Sequence, residues 1–233
     1  MAKTTAAQPA AAQPAAAQPE AAEPAVAPPG AAPHAGDAAG ETAYRAVVAR
    51  SLRGFTGAGY EKGRPLLVQA AWFAALHLLF VKWWFPARWR PVLLRAFGAR
   101  VGERVLIRRG VRVHWPWKLD IGDDVWIGED AWILNLEPVT IGQDCCVSQS
   151  ALLCTGSHLR RSATFEFDNG PIRLEPGCWV AARAVVLRGV TVGRDAVVGA
   201  GAVAHRDLAP GSVLTASGTP GAAPAVSAKG VTA

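Results

Sequence analysis

The sequence predicts an all-β solenoid, a three-sided parallel β-helix, on three observations. A branched aliphatic residue recurs at every sixth position. It stands at Val101, Ile107 and Val113, at Ile121, Ile127 and Ile133, at Ile141, Val147 and Leu153, and after a gap at Leu174, Val180, Val186, Val192 and Val198. The residue that follows is often Gly or Ala, as at Gly102, Gly122, Gly128, Gly142, Ala181, Gly193 and Gly199. The fifth place is small or β-branched, as at Val105, Val125, Ala131, Cys145, Ala151, Cys178, Ala184, Ala196 and Ala202. A step of six returns one aliphatic to each inner edge of a prism, and coils built this way bury their inner faces only against their neighbours.

The elements follow in chain order. Residues 1–40 repeat Ala, Pro and Gln. They lack the large apolar side chains that offset ordering entropy, so a disordered tail is expected. No apolar block follows Lys3, so this is not read as a secretory signal. Residues 41–100 read as helical. The run Leu66 to Phe85 is apolar but includes Gln69 and His77, and Lys82, Trp83 and Trp84 close it. It is shorter than the roughly 20 residues of a membrane span. A helix at a membrane interface, or one packed on the solenoid, is expected instead. A second helix over Arg90 to Phe97 should stop at Gly98. Residues 101–208 form the solenoid. Its first three coils start at Val101, Ile121 and Ile141 and carry two extra residues each, placed near Leu119-Asp120 and Val139-Thr140. Residues 209–233, with Pro210, Gly211, Gly218 and Pro220, form a C-terminal cap and tail.

Net charge is +6, and Arg45, Arg50, Arg53, Lys62, Arg64, Lys82, Arg88, Arg90, Arg95 and Arg100 crowd the stretch before the repeats. A basic, Trp-rich segment suits an anionic phospholipid surface better than nucleic acid, and a solvated rim of snorkelling side chains is the alternative. Cys145 and Cys178 share one hexad slot on consecutive coils. No cysteine or histidine spacing of a metal site is present, so the four cysteines read as free thiols of a reducing compartment.

The count breaks at Gly156-Ser157-His158, and a polar excursion from a packed repeat is where chemistry is expected. Trp132-Ile-Leu-Asn-Leu, Cys154-Thr-Gly-Ser-His158, Trp179-Val-Ala-Ala-Arg183 and Val198-Gly-Ala-Gly-Ala202 together resemble the hexapeptide-repeat O-acetyltransferases. Within them they are most similar to the colanic acid biosynthesis acetyltransferases of bacterial exopolysaccharide clusters. The resemblance covers about residues 65–221. It implies a left-handed coil, a homotrimer, acetyl-CoA as donor and no metal. It also implies His158 as the catalytic histidine, and a CoA groove along the following coils at the Ala182 and Ala200 backbone and at His205-Arg206. Gly218-Thr219-Pro220 looks like the family's Gly-Asn-Pro turn. Two departures concern the acceptor: Leu159 follows His158 where many relatives have Asp, and Arg160-Arg161-Ser162 is unusually basic.

An alcohol is a poor nucleophile at neutral pH, and imidazole has the pKa to take its proton. His158 is therefore expected to be the general base toward a sugar hydroxyl. A backbone N–H near Ala182 would hold the oxyanion, and a carboxylate or carbonyl would orient the ring; Glu137 is a candidate for that role and, beside Asn135, for binding the acceptor. Asn135 would bind the acceptor or else serve only its own turn. Arg206 would meet a CoA phosphate or else be a surface charge. Trp179 would wall the pantetheine channel or pack between subunits. His114 reads as structural. Two other functions compete. One is a metalloenzyme of γ-carbonic-anhydrase type, which needs three histidines at one interface; His114, His158 and His205 are placed on different corners. The other is a non-catalytic trimeric scaffold, which predicts no acetyl-CoA binding. The enzyme reading places the chain in the cytoplasm, peripheral on the inner membrane.

Overall fold

The computed structural model describes residues 50–217 and 220–222. The Ala/Pro-rich tail, most of the stretch after Ser217, and Gly218 and Thr219 lie outside the described residues. Among the described residues short strands are numbered β1 to β17 in chain order, and β1 to β16 wind into a three-sided parallel solenoid, the fold class expected. Face A stacks β1 (Arg100–Val101), β4 (Leu119–Ile121), β7 (Val139–Ile141), β10 (Ile172–Leu174) and β13 (Thr191–Val192). Face B stacks β2 (Leu106–Ile107), β5 (Trp126–Ile127), β8 (Cys146–Val147), β11 (Trp179–Val180), β14 (Val197–Val198) and β16 (Ser212–Leu214). There β17 (Pro220–Ala222) pairs antiparallel with β16. Face C stacks β3 (Arg112–Val113), β6 (Trp132–Leu134), β9 (Leu152–Cys154), β12 (Val185–Leu187) and β15 (Val203–Ala204).

Each aliphatic of the hexad count meets its successor in register, as Val101 with Ile121, Ile121 with Ile141, and Leu174 with Val192. These side chains form one buried core along the axis, with Cys145 and Cys178 stacked in it as free thiols. Corners from A to B and from B to C are tight turns. They use one left-handed residue each, for example Asp124, Asp130, Asp144 and Ser150, all near φ +56 to +59. Gly122 serves close approach rather than φ. A Cβ there would lie 2.7 Å from the backbone nitrogen of Gln143 in the next coil.

The third edge, from C to A, is different. Val186 and Val190 are both inward and four residues apart, whereas Val113 and Leu119, and Ile133 and Val139, are six apart. The two extra residues per coil therefore sit within Trp115–Lys118 and Asn135–Pro138, ahead of Leu119 and Val139 rather than beside Asp120 and Thr140. Strand counting cannot separate these positions, because Leu119 and Val139 also face inward. On the third coil the same edge opens into the long excursion between Cys154 and Ile172.

The outward columns also differ by face. Face A shows Arg100, Asp120, Thr140, Arg173 and Thr191, whereas face B shows Leu106, Trp126, Cys146, Trp179, Val197 and Val213. Face C shows Arg112, then Trp132, Leu152, Val185 and Val203.

The helical segment closes the first coil. α1 (Leu66–Ala75) runs on through a π-helical turn, Leu76–Phe80, and α2 (Trp89–Ala96) ends where Gly98 takes φ +92. Trp72, Phe80 and Leu94 enter the core. Arg90 is buried and donates from Nε to the carbonyl of Phe80 (2.9 Å), from Nη2 to Lys82 (2.8 Å) and from Nη1 to Ile107 (3.4 Å). Burial lowers its pKa.

Candidate active site

His158 projects from the excursion and pairs with Phe167 by an isolated antiparallel bridge. Its ring is stacked on Phe165, with centroids 4.4 Å apart and planes at 9°, and on Phe167 at 5.2 Å and 22°. Phe55 meets it edge-on at 5.8 Å. Its Nδ1 lies 2.9 Å from the carbonyl oxygen of Phe165. A carbonyl only accepts, so Nδ1 carries the proton and the lone pair is at Nε2. That is the tautomer a base needs.

The orienting group is therefore the Phe165 carbonyl, and the role expected of Glu137 falls to it. Glu137 instead lies 3.9 Å from Lys118 Nζ, and its N–H donates to Thr155 Oγ1 (3.0 Å). Asn135 is fully buried. Its Oδ1 accepts from the N–H groups of His114 (3.1 Å) and Trp115 (3.0 Å), and Nδ2 donates to the Trp115 carbonyl (2.6 Å). These contacts tie the enlarged edge of one coil to the next. The amide is a structural bond, and the side chain is not presented to an acceptor.

The segment before α1 straps the excursion in place. The Ser51 N–H donates to the Ala163 carbonyl (2.9 Å). The Glu166 carboxylate accepts from the Thr56 N–H and Oγ1 (both 3.0 Å), the Gly57 N–H (3.0 Å) and the Ala58 N–H (3.2 Å). These donors, the Thr56 N–H first, hold its pKa below the ordinary glutamate value. The Arg50 guanidinium sits 4.6 Å over the Phe165 ring, and Tyr60 packs on Phe167 at 5.0 Å. Burial raises the Tyr60 pKa, with Glu137 adding to it, while a hydrogen bond from Trp115 Nε1 to the phenol works the other way. Asn169 Oδ1 accepts from the Ser157 N–H (3.1 Å), while its buried Nδ2 has no partner among the described residues.

Beside the imidazole lies an open depression of about 530 Å³, lined by Ser157, His158, Arg160, Arg161, Asp168 and Arg188. Asp168 and Arg188 pair across it. His205 and Arg206 are exposed on the same edge two coils on, beside a second hollow of about 270 Å³. Ala182 and Ala200 stand on the B-to-C edge, on consecutive coils, with the Gly201 N–H donating to the Ala182 carbonyl (3.0 Å). The Ala182 and Ala200 N–H groups have no acceptor among the described residues. Trp179 is exposed on face B, its indole N–H donating to Ser148 Oγ (2.9 Å). One protomer thus gathers His158 with His205-Arg206 along one edge, and leaves Trp179, Ala182 and Ala200 on other sides of the prism.

His114, His158 and His205 all follow face-C strands, so they share an edge rather than lying on different corners. They stand two coils apart, about 10 Å by strand spacing, whereas two ligands of one zinc lie within about 4 Å. Among the described residues no group of three His, Cys, Asp or Glu could hold a metal ion. His114 packs on Trp115 at 4.3 Å, and burial first, then Lys118 and Lys62, lower its pKa.

Fold and site together define a hexapeptide-repeat acyltransferase. Residues 118–148 and 171–204 match the family model "Hexapeptide repeat of succinyl-transferase". The "Putative colanic acid biosynthesis acetyltransferase WcaF" of Escherichia coli K12 is 40% identical over 159 residues, 67% of this chain and 85% of its own length. The chain belongs to the hexapeptide-repeat acetyltransferase family. The Escherichia coli galactoside O-acetyltransferase is 27% identical over 136 residues, 56% of this chain and 65% of its own. The Vibrio cholerae acetyltransferase VCA0836, solved with acetyl coenzyme A, superposes with a TM-score of 0.61 over 70% of this chain and 91% of its own, at 23% identity.

Proposed function

We propose that the protein transfers the acetyl group of acetyl-CoA to a sugar hydroxyl in exopolysaccharide biosynthesis, with His158 as general base. The observation that carries this is the Nδ1 contact to the Phe165 carbonyl, which leaves Nε2 as the free base beside an open depression. His158 Nε2 takes the hydroxyl proton as the oxygen attacks the thioester carbon. The tetrahedral intermediate collapses by breaking the C–S bond, and the imidazolium returns the proton to the departing thiolate. Backbone N–H groups at Ala182 or Ala200 would hold the oxyanion, and His205-Arg206 would meet a CoA phosphate.

Trp179, Ala182 and Ala200 can reach a His158 loop only from an adjoining protomer, so the proposal includes a homotrimer. Two apolar outward faces beside one polar face suit a closed ring. The exopolysaccharide link rests on the name of the Escherichia coli relative. The location proposed is the cytoplasmic side of the inner membrane, reached through the basic segment 41–100. Among the described residues no helix is long and apolar enough to cross a membrane.

Thiol release from acetyl-CoA, followed over a panel of sugar acceptors, tests the reaction. His158→Gln should cut kcat by about 10²–10⁴ with little change in KM for acetyl-CoA. Near-native turnover of that variant on its best acceptor would remove the base from His158.

A further inference from the structure

The helical segment has two sides of unequal fate. α1 is apolar apart from Gln69, whose amide is tied back to the Arg64 carbonyl (2.6 Å), and one side is used on the solenoid through Trp72 and Phe80. A helix of this kind is ordinarily buried on every side. Here the other side is bare: Leu67 is 84% exposed, Phe73 64% and Leu78 66%. The turn into α2 continues it with Trp83 at 79%, and with Trp84 and Trp89 about half exposed. Single exposed apolar residues need no account, but a contiguous set marks an interaction surface.

Charge names the partner. Between Glu61 and Glu103 there is no acidic residue, while Lys62, Arg64, Lys82, Arg88, Arg90, Arg95 and Arg100 fall in that interval. All of these but Arg90 are exposed. Tryptophan at the level of lipid headgroups, leucine and phenylalanine just below, and Lys or Arg flanking them are the features of an interfacial helix. A nucleic acid would use the cations and aromatics and leave the leucines wet.

We infer that this face of the α1–α2 segment docks on an anionic lipid bilayer, with Leu67, Phe73, Leu78, Trp83 and Trp84 entering the interface and Lys82 and Arg88 meeting lipid phosphates. The inference deepens the location proposed above and does not depend on the transfer reaction. The helices pack on the first coil and the His158 excursion leaves the third. The solenoid would then stand on the surface by its N-terminal end, and an acceptor held at that surface would meet the site.

The test is cosedimentation of the full chain with vesicles of phosphatidylcholine alone and of phosphatidylcholine with about one-third phosphatidylglycerol. Binding to the anionic vesicles should be stronger by about a hundredfold, and should fall steeply with salt. Trp83→Ser with Trp84→Ser should weaken it at least tenfold. Lys82→Glu with Arg88→Glu, which alters no core residue, should abolish the preference for anionic lipid. Equal partition to both vesicle types, or unchanged binding by both double variants, overturns the inference. So does a loss of self-association in the tryptophan variant without vesicle binding by the parent chain, because the occupant would then be a second copy. Acetyl transfer to a water-soluble acceptor without vesicles is measured alongside. If it persists while binding fails, the docking face is wrong and the reaction stands; the reverse result separates them the other way.

Discussion

Replacing Asn135 by alanine separates a structural amide from a substrate-binding one. The side chain makes three hydrogen bonds, accepting at Oδ1 from His114 and Trp115 and donating from Nδ2 to the Trp115 carbonyl. Two of the partners keep another bond: the His114 N–H also donates to Ile133, and the Trp115 carbonyl also accepts from Lys118. The Trp115 N–H has no second acceptor among the described residues. One orphaned donor costs about 1–3 kcal/mol and each of the other two bonds about 0.5–1.5, so about 2–6 kcal/mol is expected for the whole change. For a chain of this size that lowers Tm by roughly 4–24 °C. Thermal melting by circular dichroism measures it. Acceptor KM, taken below the new melting range, should stay within about twofold, because the amide faces the preceding coil. Asn135→Asp keeps the acceptor oxygens but loses the donor and buries a charge, and should also melt early. A variant that melts like the parent while acceptor KM rises many-fold would refute the structural assignment.

Two further outcomes follow from named contacts. Arg90→Met removes the donors to three carbonyls in a buried position, and should lower unfolding stability by about 3 kcal/mol in urea titration; an unchanged midpoint would mean that the helices close the coil without it. Glu166 has a depressed pKa in the folded chain. Its contribution is present above the ordinary glutamate pKa and is lost as pH falls through the lower folded value. Protection of the Thr56, Gly57 and Ala58 amides, relative to their intrinsic exchange at each pH, should thus persist at pH 5 and be lost only below the ordinary glutamate range, and Glu166→Ala should remove it at pH 5 and above while matching the parent once Glu166 is protonated.

The hexads were legible because each inward place is filled by one side chain of restricted size. Ile121 must be aliphatic whatever surrounds it, so position alone reported the fold. Gly122 was legible for a related reason, since the backbone of the next coil excludes a Cβ. His158 was legible by its interruption of the count. What was not legible has no side-chain period. The orienting atom is the carbonyl oxygen of Phe165; the chemistry calls for a carboxylate or a carbonyl there, but any residue can supply a carbonyl, so the sequence points only to the carboxylate of Glu137. The strap at Thr56–Ala58 holds Glu166 with backbone N–H groups, and nothing in Thr-Gly-Ala marks it. Asn135 was placed on the right edge, but counting cannot say whether an amide turns outward to a ligand or inward to the coil behind it.

The uneven edge explains how a repeat protein acquires a site. The A-to-B and B-to-C corners are held to four-residue turns by a left-handed residue and by glycines packed on the next backbone. A residue inserted there would lift one coil off its neighbour and break strand pairing on two faces. The C-to-A edge escapes this limit, because its insertions leave the prism and return in register: Val139 still meets Ile172 despite the long excursion between them. Length is therefore tolerated at one edge, and the polar groups of the excursion must then be satisfied away from the core. Thr155, Asn169 and the Phe165 carbonyl do this within the excursion, as Asn135 does on the enlarged edge of the coil before it, and the Phe165 carbonyl fixes the tautomer of His158. In this account the loop's hydrogen-bond requirement and the orientation of the base are one constraint. Shortening the excursion while keeping His158 in sequence would preserve the solenoid and lose the base.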